Sequence, residues 1–319
     1  MNVSIVVPVY NEAQVIAEFH QRLRSAIDAL PYSFEIWYVN DGSCDQTEAV
    51  VIEIIRQDNR VRLLNLSRNF GHQAALTAGL DFAEGQAVIT MDGDGQHPPE
   101  YIEDLLDLYE RGFDVVLTQR TDNQEGTFLK RSTSWLFYRL INLMSATTVV
   151  PGAADFRLMS RMVVLSLRQM RETHRFLRGL VTWTGFRWTT IQIRPSSRIA
   201  GESKYSLRKM MRLAYEAIFS FSTVPIRLSI LLGICVLGLA CLEFLDPLIL
   251  ILSGRAHELV PGWTTLIISA LVLGATQLIT LAIIGQYVGL IYEEVKRRPL
   301  YLLQGKPLDR TTLDKWESQ

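Results

Sequence analysis

Ala87-Val88-Ile89-Thr90-Met91-Asp92-Gly93-Asp94-Gly95-Gln96-His97-Pro98-Pro99-Glu100 is the stretch on which the fold turns. Its start, Ala87 to Met91, is a short apolar run of the kind that forms a buried strand, and Asp92 and Asp94 stand just past its carboxyl end. Pro98-Pro99-Glu100 then opens a helix, because proline is tolerated in a first turn. Two carboxylates at a strand end suit a hard divalent cation, Mg²⁺ or Mn²⁺, whose oxygen shell combines one or two acidic side chains with substrate phosphates. A nucleotide-type substrate is the first chemistry that this arrangement implies. An isolated Asp-x-Asp is also an ordinary surface turn, so the neighbouring segments decide between the two.

Working outward, Val3 to Val9, Glu35 to Val39, Val61 to Leu66 and Val115 to Thr118 are further short, β-rich runs. Segments of helical period separate them. Val15, Phe19, Leu23 and Ile27 recur at every fourth position and make one buried stripe, and Asp45 to Gln57, Gly71 to Ala83 and Pro99 to Arg111 follow the same rule. Such alternation predicts an α/β fold with an open, mainly parallel sheet of Rossmann-like type. Ligands of these sheets collect at the carboxyl ends of the strands. Three of those ends carry polar clusters: Pro8-Val9-Tyr10-Asn11-Glu12, Asn40-Asp41-Gly42-Ser43 and Asp92-Gly93-Asp94-Gly95-Gln96. Their convergence on one edge predicts a single site, in which Glu12 and Asp41 accept hydrogen bonds from base and ribose.

Composition excludes several classes. With 32 Lys and Arg against 33 Asp and Glu, nothing in the charge balance calls for a nucleic acid. Cys44, Cys235 and Cys241 lie in no metal-ligand spacing and give no disulfide framework, which fits a reducing compartment. The amino terminus lacks the basic start and cleavage site of a signal peptide.

The last third differs in kind. Leu228 to Leu252, interrupted by Glu243, Asp246 and Pro247, and Thr264 to Tyr292, without any formal charge, each exceed the roughly 20 residues that a span requires. They predict a two-helix transmembrane hairpin. Arg208, Lys209, Arg212 and Arg227 precede it and Lys296, Arg297 and Arg298 follow it, whereas the connection Ser253 to Gly262 holds only Arg255, so both flanks are expected in the cytoplasm. The expected organisation is a cytosolic domain over residues 1–206, an amphipathic interfacial segment over 207–227, the hairpin over 228–292 and a cytosolic tail over 293–319 in an integral inner-membrane protein. Gly285 and Gly289 offer a small-residue face for helix packing, which would serve a homo-oligomer.

Read in order, SIVVPVYNE, VNDGSCDQT, LSRNFGHQAALTAGL, TMDGDGQHPPE, ADFRLMSR (Ala154 to Arg161), GESKYS (Gly201 to Ser206) and IGQYVGLIYEEVKRRPLY resemble the family 2 inverting glycosyltransferases of the GT-A fold. Within them the resemblance is to polyprenyl-phosphate glycosyltransferases, nearest to bactoprenol glucosyltransferases and more distantly to dolichol-phosphate mannose synthases. The resemblance implies that Pro8, Tyr10, Glu12 and Asp41, with Asp92, bind the nucleotide. It implies that Asp92, Asp94 and Gln96 hold the metal and diphosphate, and that Asp155 serves the reaction centre together with Asp94. The chain departs from the family pattern at Asn40, where an acid is commoner, at Gln86 and at Ala154.

The implied reaction moves a hexose, glucose by closeness of resemblance, from a UDP-sugar to polyprenyl (undecaprenyl) phosphate with inversion. Such a phosphate is largely dianionic near neutral pH, with a second pKa of about 6 to 7, and needs little help from a base. Two roles therefore fit Asp155: accepting a residual proton, or orienting donor and acceptor. Cations for the acceptor phosphate are available at Arg120, at Lys130 and Arg131 beside the Trp135 to Ile141 segment, and at Lys204. Two other readings compete. A processive polysaccharide synthase would carry a Gln-x-x-Arg-Trp motif, which Gly185-Phe186-Arg187-Trp188 lacks. A silent nucleotide-binding scaffold that recruits a flippase would have no need of Asp92, Asp94 and Asp155.

Overall fold

Strand β1 (Asn2–Val9) is buried from Val3 to Val9, and a strand without a polar face has to be covered on both sides. The computed structural model, which describes residues 1–121, 150, 152–194, 224–253 and 262–317, supplies both covers. It divides into two compact units, one formed by Met1–Arg212 with Arg298–Gln319 and the other by Leu213–Arg297.

In the first unit, seven strands lie in the order β3-β2-β1-β4-β6-β5-β7. They are β1, β2 (Ser33–Asn40), β3 (Val61–Asn65), β4 (Ala87–Thr90), β5 (Val115–Arg120), β6 (Ala153–Ser160) and β7 (Trp188–Ile193). Every pairing is parallel except those of β6 with β4 and β5. Helices α1 (Ile16–Asp28), α2 (Thr47–Gln57) and α4 (Ile102–Glu110) cover one face. Ile16, Phe19, Leu23 and Ile27 of α1 join Val51, Ile55, Leu105 and the odd residues of β1 in one core, each contributing about 1.5–3 kcal/mol by leaving water. Helix α3 (His72–Phe82) covers the other face together with α5 (Arg161–Gln169) and α6 (Leu177–Trp183).

The chain leaves β1 toward β2 and β3 on one side and enters β4 on the other, so the crevice beyond the carboxyl ends of β1 and β4 is the switch point of the sheet. Pro8 helps to open it. Met91 N–H donates to Val6 O on the β4 side, whereas Asp41 N–H donates to Val9 O on the β2 side. By the period of two, Pro8 faces the β4 side just where pairing with β4 has ended at Val6, so its missing N–H costs no ladder bond.

Asp155 lies inside strand β6. The segment after Arg298 folds with the first unit instead of trailing as a separate tail: its backbone pairs with the outer edge of β3 and ends in helix α9 (Arg310–Glu317).

The second unit holds helices α7 (Val224–Leu252) and α8 (Trp263–Val295), packed against each other. Among the described residues, the stretch Ile268–Val295 is long and apolar enough to cross a membrane, with a mean hydropathy of 2.0 and none of it buried in protein. Helix α7 carries a shorter apolar stretch, Ile226–Leu239. Lys130, Arg131, Lys204, the Trp135 segment, residues 201–206 and most of 207–227 lie outside the described residues.

Candidate active site

The polar strand ends meet as the sequence predicts, and a network of short-range bonds holds the first two together. Asn11 N–H donates to Ser43 Oγ at 3.0 Å and Cys44 N–H donates to Asn11 Oδ1 at 2.9 Å. Glu12 N–H donates to Thr47 Oγ1 at 2.9 Å. Asn11 adopts φ 55°, a left-handed conformation that asparagine tolerates better than most residues. Tyr10 is exposed, Glu12 is half-buried and Pro8 is buried in β1.

Asp41 is buried, and its carboxylate is committed to the chain itself. Oδ1 accepts from Phe70 N–H at 2.7 Å and Oδ2 from Gly71 N–H at 2.9 Å, at the start of α3. Burial raises its pKa, opposed by those two N–H groups, His72 and Arg68. The next residue, Gly42, has φ 65°, and a Cβ there would collide with the backbone of Arg68 and Asn69. A fourth strand end, the Ser67 to Gly71 loop after β3, is thus drawn into the site, and Asp41 shapes its wall.

Gly93 lets the acidic pair approach β1, since a Cβ there would press on Val9, Val7 and Ile16 at 3.1–3.3 Å. Asp92 N–H donates to His97 Nδ1 at 2.9 Å, which makes Nδ1 the acceptor of a neutral ring. Burial lowers the pKa of His97 in the same direction, against the nearby Asp92, Asp94 and Asp155, and the ring stacks on Phe156 with centroids 5.5 Å apart. Asp94 Oδ1 accepts Gln96 N–H at 3.0 Å. Arg120 Nη1 donates to Gln96 Oε1 at 3.0 Å, so Gln96 seats the arginine at the end of β5.

Asp92 Oδ1 is buried and, among the described residues, has no hydrogen-bond partner; His72 Nε2 stands 3.4 Å from it. Among the described residues no group of three His, Cys, Asp or Glu forms a complete metal shell. A buried carboxylate oxygen in want of a partner, with Asp94 beside it, fits a hard cation whose remaining ligands are phosphate oxygens.

Because β6 runs antiparallel and pairs Arg157 with Thr90, its first residues continue past the end of β4 toward Asp92. Thr90 Oγ1 donates to Asp155 O at 2.6 Å and anchors this start. The Asp155 carboxylate is buried and binds two guanidiniums, Arg157 beneath it and Arg178 of α6. His72 Nε2 stands 3.5 Å from Asp155 Oδ2, so one imidazole nitrogen bridges Asp155 and Asp92. Burial alone would raise the Asp155 pKa, but Arg178, Arg157 and His72 hold it well below the usual carboxylate range. Partial burial works to lower the His72 pKa, and Asp155 with Asp92 raises it.

His72, His97 and Arg157 fall inside the motifs LSRNFGHQAALTAGL, TMDGDGQHPPE and ADFRLMSR without a role assigned from the sequence, and Arg178 lies outside every quoted motif. The carboxylates that give His72 and Arg178 their meaning lie on other elements.

The Glycosyl transferase family 2 profile matches residues 4–167. The chain is 41% identical over 305 residues to the uncharacterized glycosyltransferase YkcC of Bacillus subtilis (strain 168), covering 94% of this chain and 93% of that protein. It is 39% identical over 305 residues to the SfII prophage-derived bactoprenol glucosyl transferase of Shigella flexneri, covering 95% of this chain and 98% of that protein. A sheet of this order with its acidic pair at the switch point, a family match over half the chain and relatives aligned nearly end to end lead to one assignment: the chain belongs to glycosyl transferase family 2.

Proposed function

We propose that this protein transfers a hexose, glucose as first choice, from a UDP-sugar to undecaprenyl phosphate with inversion at the anomeric carbon. The observation that carries this reading is a juxtaposition. Asp92, suited to a metal-bound diphosphate, and the Asp155–Arg178 pair, suited to a second phosphate, meet at His72 in a chain that aligns almost end to end with a bactoprenol glucosyl transferase.

Asp92 and Asp94 would hold Mg²⁺ or Mn²⁺, which when bound neutralises charge gathering on the departing diphosphate. On the donor side, exposed Tyr10 and half-buried Glu12 line the mouth, and Asp41 fixes the loop behind them. On the acceptor side, Arg120, seated by Gln96, and Arg178, seated by Asp155, supply guanidinium charge for a phosphate, with Arg131 and Lys204 as further candidates. A phosphate oxygen of the acceptor forms the new bond to the anomeric carbon while the bond to the nucleotide oxygen breaks and its electron pair leaves with UDP. A general base works best with a pKa near the operating pH. The depressed pKa of Asp155 therefore favours the orienting role, fixing Arg178 and His72 beside an acceptor that brings its own ionised nucleophile.

The apolar stretch Ile268–Val295 supports membrane attachment. With α7 it would complete the hairpin, and the basic flanks favour a cytoplasmic catalytic unit. NMR of the lipid product made from an α-linked UDP-hexose tests the stereochemistry: a β-linked sugar phosphate agrees with this reading, and an α-linked one contradicts it.

A further inference from the structure

Strand β3 would be an exposed sheet edge, a liability that proteins cover or blunt. Here the chain covers it with its own last segment. Leu63 N–H donates to Leu308 O at 2.8 Å, Leu308 N–H to Leu63 O at 2.9 Å, Gln304 N–H to Asn65 O at 2.8 Å and Ser67 N–H to Leu302 O at 2.8 Å. The segment is pinned at both ends. Tyr301 OH donates to Asp81 Oδ2 at 2.9 Å, and Asp81 also binds Arg171. At the other end Leu308 and Leu313 pack into the core, and Asp309 caps α9 by accepting Thr312 N–H at 2.8 Å.

The point of attachment matters more than the cover. Asn65, whose carbonyl receives Gln304, accepts Asn40 Nδ2 at 2.9 Å on its side-chain Oδ1 and donates Nδ2 to Glu48 at 2.7 Å. Asn40 Oδ1 accepts Ser43 N–H at 3.0 Å, and its backbone O accepts Leu66 N–H at 2.9 Å. Ser43 in turn receives Asn11 N–H. One hydrogen-bonded relay therefore runs from the C-terminal segment through Asn65 and Asn40 to the two loops that shape the donor side of the site. A carboxylate at position 40 would set acceptor against acceptor at Asn65 Oδ1.

We infer that residues 301–308 are a positioning strap for the nucleotide-binding loops, with Gln304, Asn65 and Asn40 as the positioning residues. This rests on the donor being a nucleotide-sugar. The strap fixes the Asp41-Gly42-Ser43 turn before substrate arrives, so its loss weakens nucleotide affinity and donor KM and leaves acceptor KM in place.

The test uses the full-length protein in detergent. Gln304→Pro deletes the central N–H of the strap, Gln304→Ala keeps it as the control, and Asn40→Asp cuts the relay with the strap still paired. UDP affinity by calorimetry, donor and acceptor KM, and amide hydrogen exchange are measured for each. The expected result for Gln304→Pro is faster exchange at Leu63 and Ser67 and also at Ser43 and Cys44, with UDP affinity and donor KM weakened about fivefold, the effect of one lost hydrogen bond. Asn40→Asp should weaken UDP binding equally with Leu63 and Ser67 still protected. Unchanged Ser43 exchange and UDP affinity once the strap is open overturn the inference. If Gln304→Pro does not fold, unchanged UDP affinity in Asn40→Asp overturns it. A parent protein that binds no UDP refutes the nucleotide reading instead, and the exchange coupling still decides the strap.

Discussion

Arg178 grips Asp155 with a two-bond fork, Nε to Oδ1 at 3.1 Å and Nη2 to Oδ2 at 2.7 Å. The Arg178 side chain is 31% exposed and that of Asp155 only 6%, so a solvent-facing cation rides on a buried carboxylate. Arg157, on the same carboxylate, is 3% exposed and belongs to the interior. The two arginines therefore divide the work: Arg157 makes a buried Asp155 tolerable, and Arg178 presents charge to the crevice.

Arg178→Ala should lower kcat about a hundredfold, the scale of losing one preorganised charge-stabilising donor, and Arg178→Lys should restore only part, because an ammonium cannot reproduce the fork. Steady-state rates with both substrates saturating measure this. Full activity in Arg178→Lys would assign Arg178 a point-charge role without fork geometry.

Asp92→Asn and Asp94→Asn should each bring transfer below detection while leaving membrane insertion and the circular dichroism spectrum unchanged. Chelation of divalent cations should do the same to the parent, reversibly on adding Mg²⁺ or Mn²⁺. Unchanged turnover in both variants would contradict the metal site.

The acid limb of activity offers a test of Asp155. Because its folded pKa is depressed, Asp155 stays ionised throughout the working range, and the limb should follow acceptor-phosphate protonation at about pH 6 to 7. Asp155→Asn should lower the plateau of kcat/KM for the acceptor without moving that limb. A limb that disappears in the variant would make Asp155 the titrating base.

Away from the site, Asp58 tests the account of stability. It is buried beside Arg60 Nη2 at 2.7 Å and His20 Nε2 at 3.6 Å. Burial works to raise its pKa, but His20 and Arg60 drive it far below the usual range. A depressed folded pKa stabilises above the unfolded value of about 3.9 and loses that contribution as pH falls toward the folded one. Asp58→Asn should cost about 2 kcal/mol at neutral pH. The difference in melting temperature from the parent should hold from pH 8 to about pH 5 and shrink only in stronger acid.

Much of this architecture is legible in the sequence for a physical reason. The first five strands are largely buried and so appear as mainly apolar runs, and α1 shows its stripe because it is covered on one side. The rule for open sheets then brings the clusters at Tyr10, Asp41 and Asp92 together. Strand β6 hides because Asp155 and Arg157 interrupt its apolar pattern, and their burial is tolerable only through a pairing that no local window displays. The strap hides because it bonds through its backbone to β3, and backbone partners leave no mark on residue choice. His72 is silent for a related reason: its two carboxylate partners lie on other elements.

The most direct measurement of the central claim is transfer of radiolabel from a panel of UDP- and GDP-hexoses to undecaprenyl phosphate by the purified full-length protein with a divalent metal, read after organic extraction. The account predicts label in the lipid phase with a UDP-hexose, strongest with UDP-glucose, dependent on the added lipid phosphate and absent in Asp92→Asn. No lipid-phase label with any donor, or label that persists without the lipid phosphate, would contradict it.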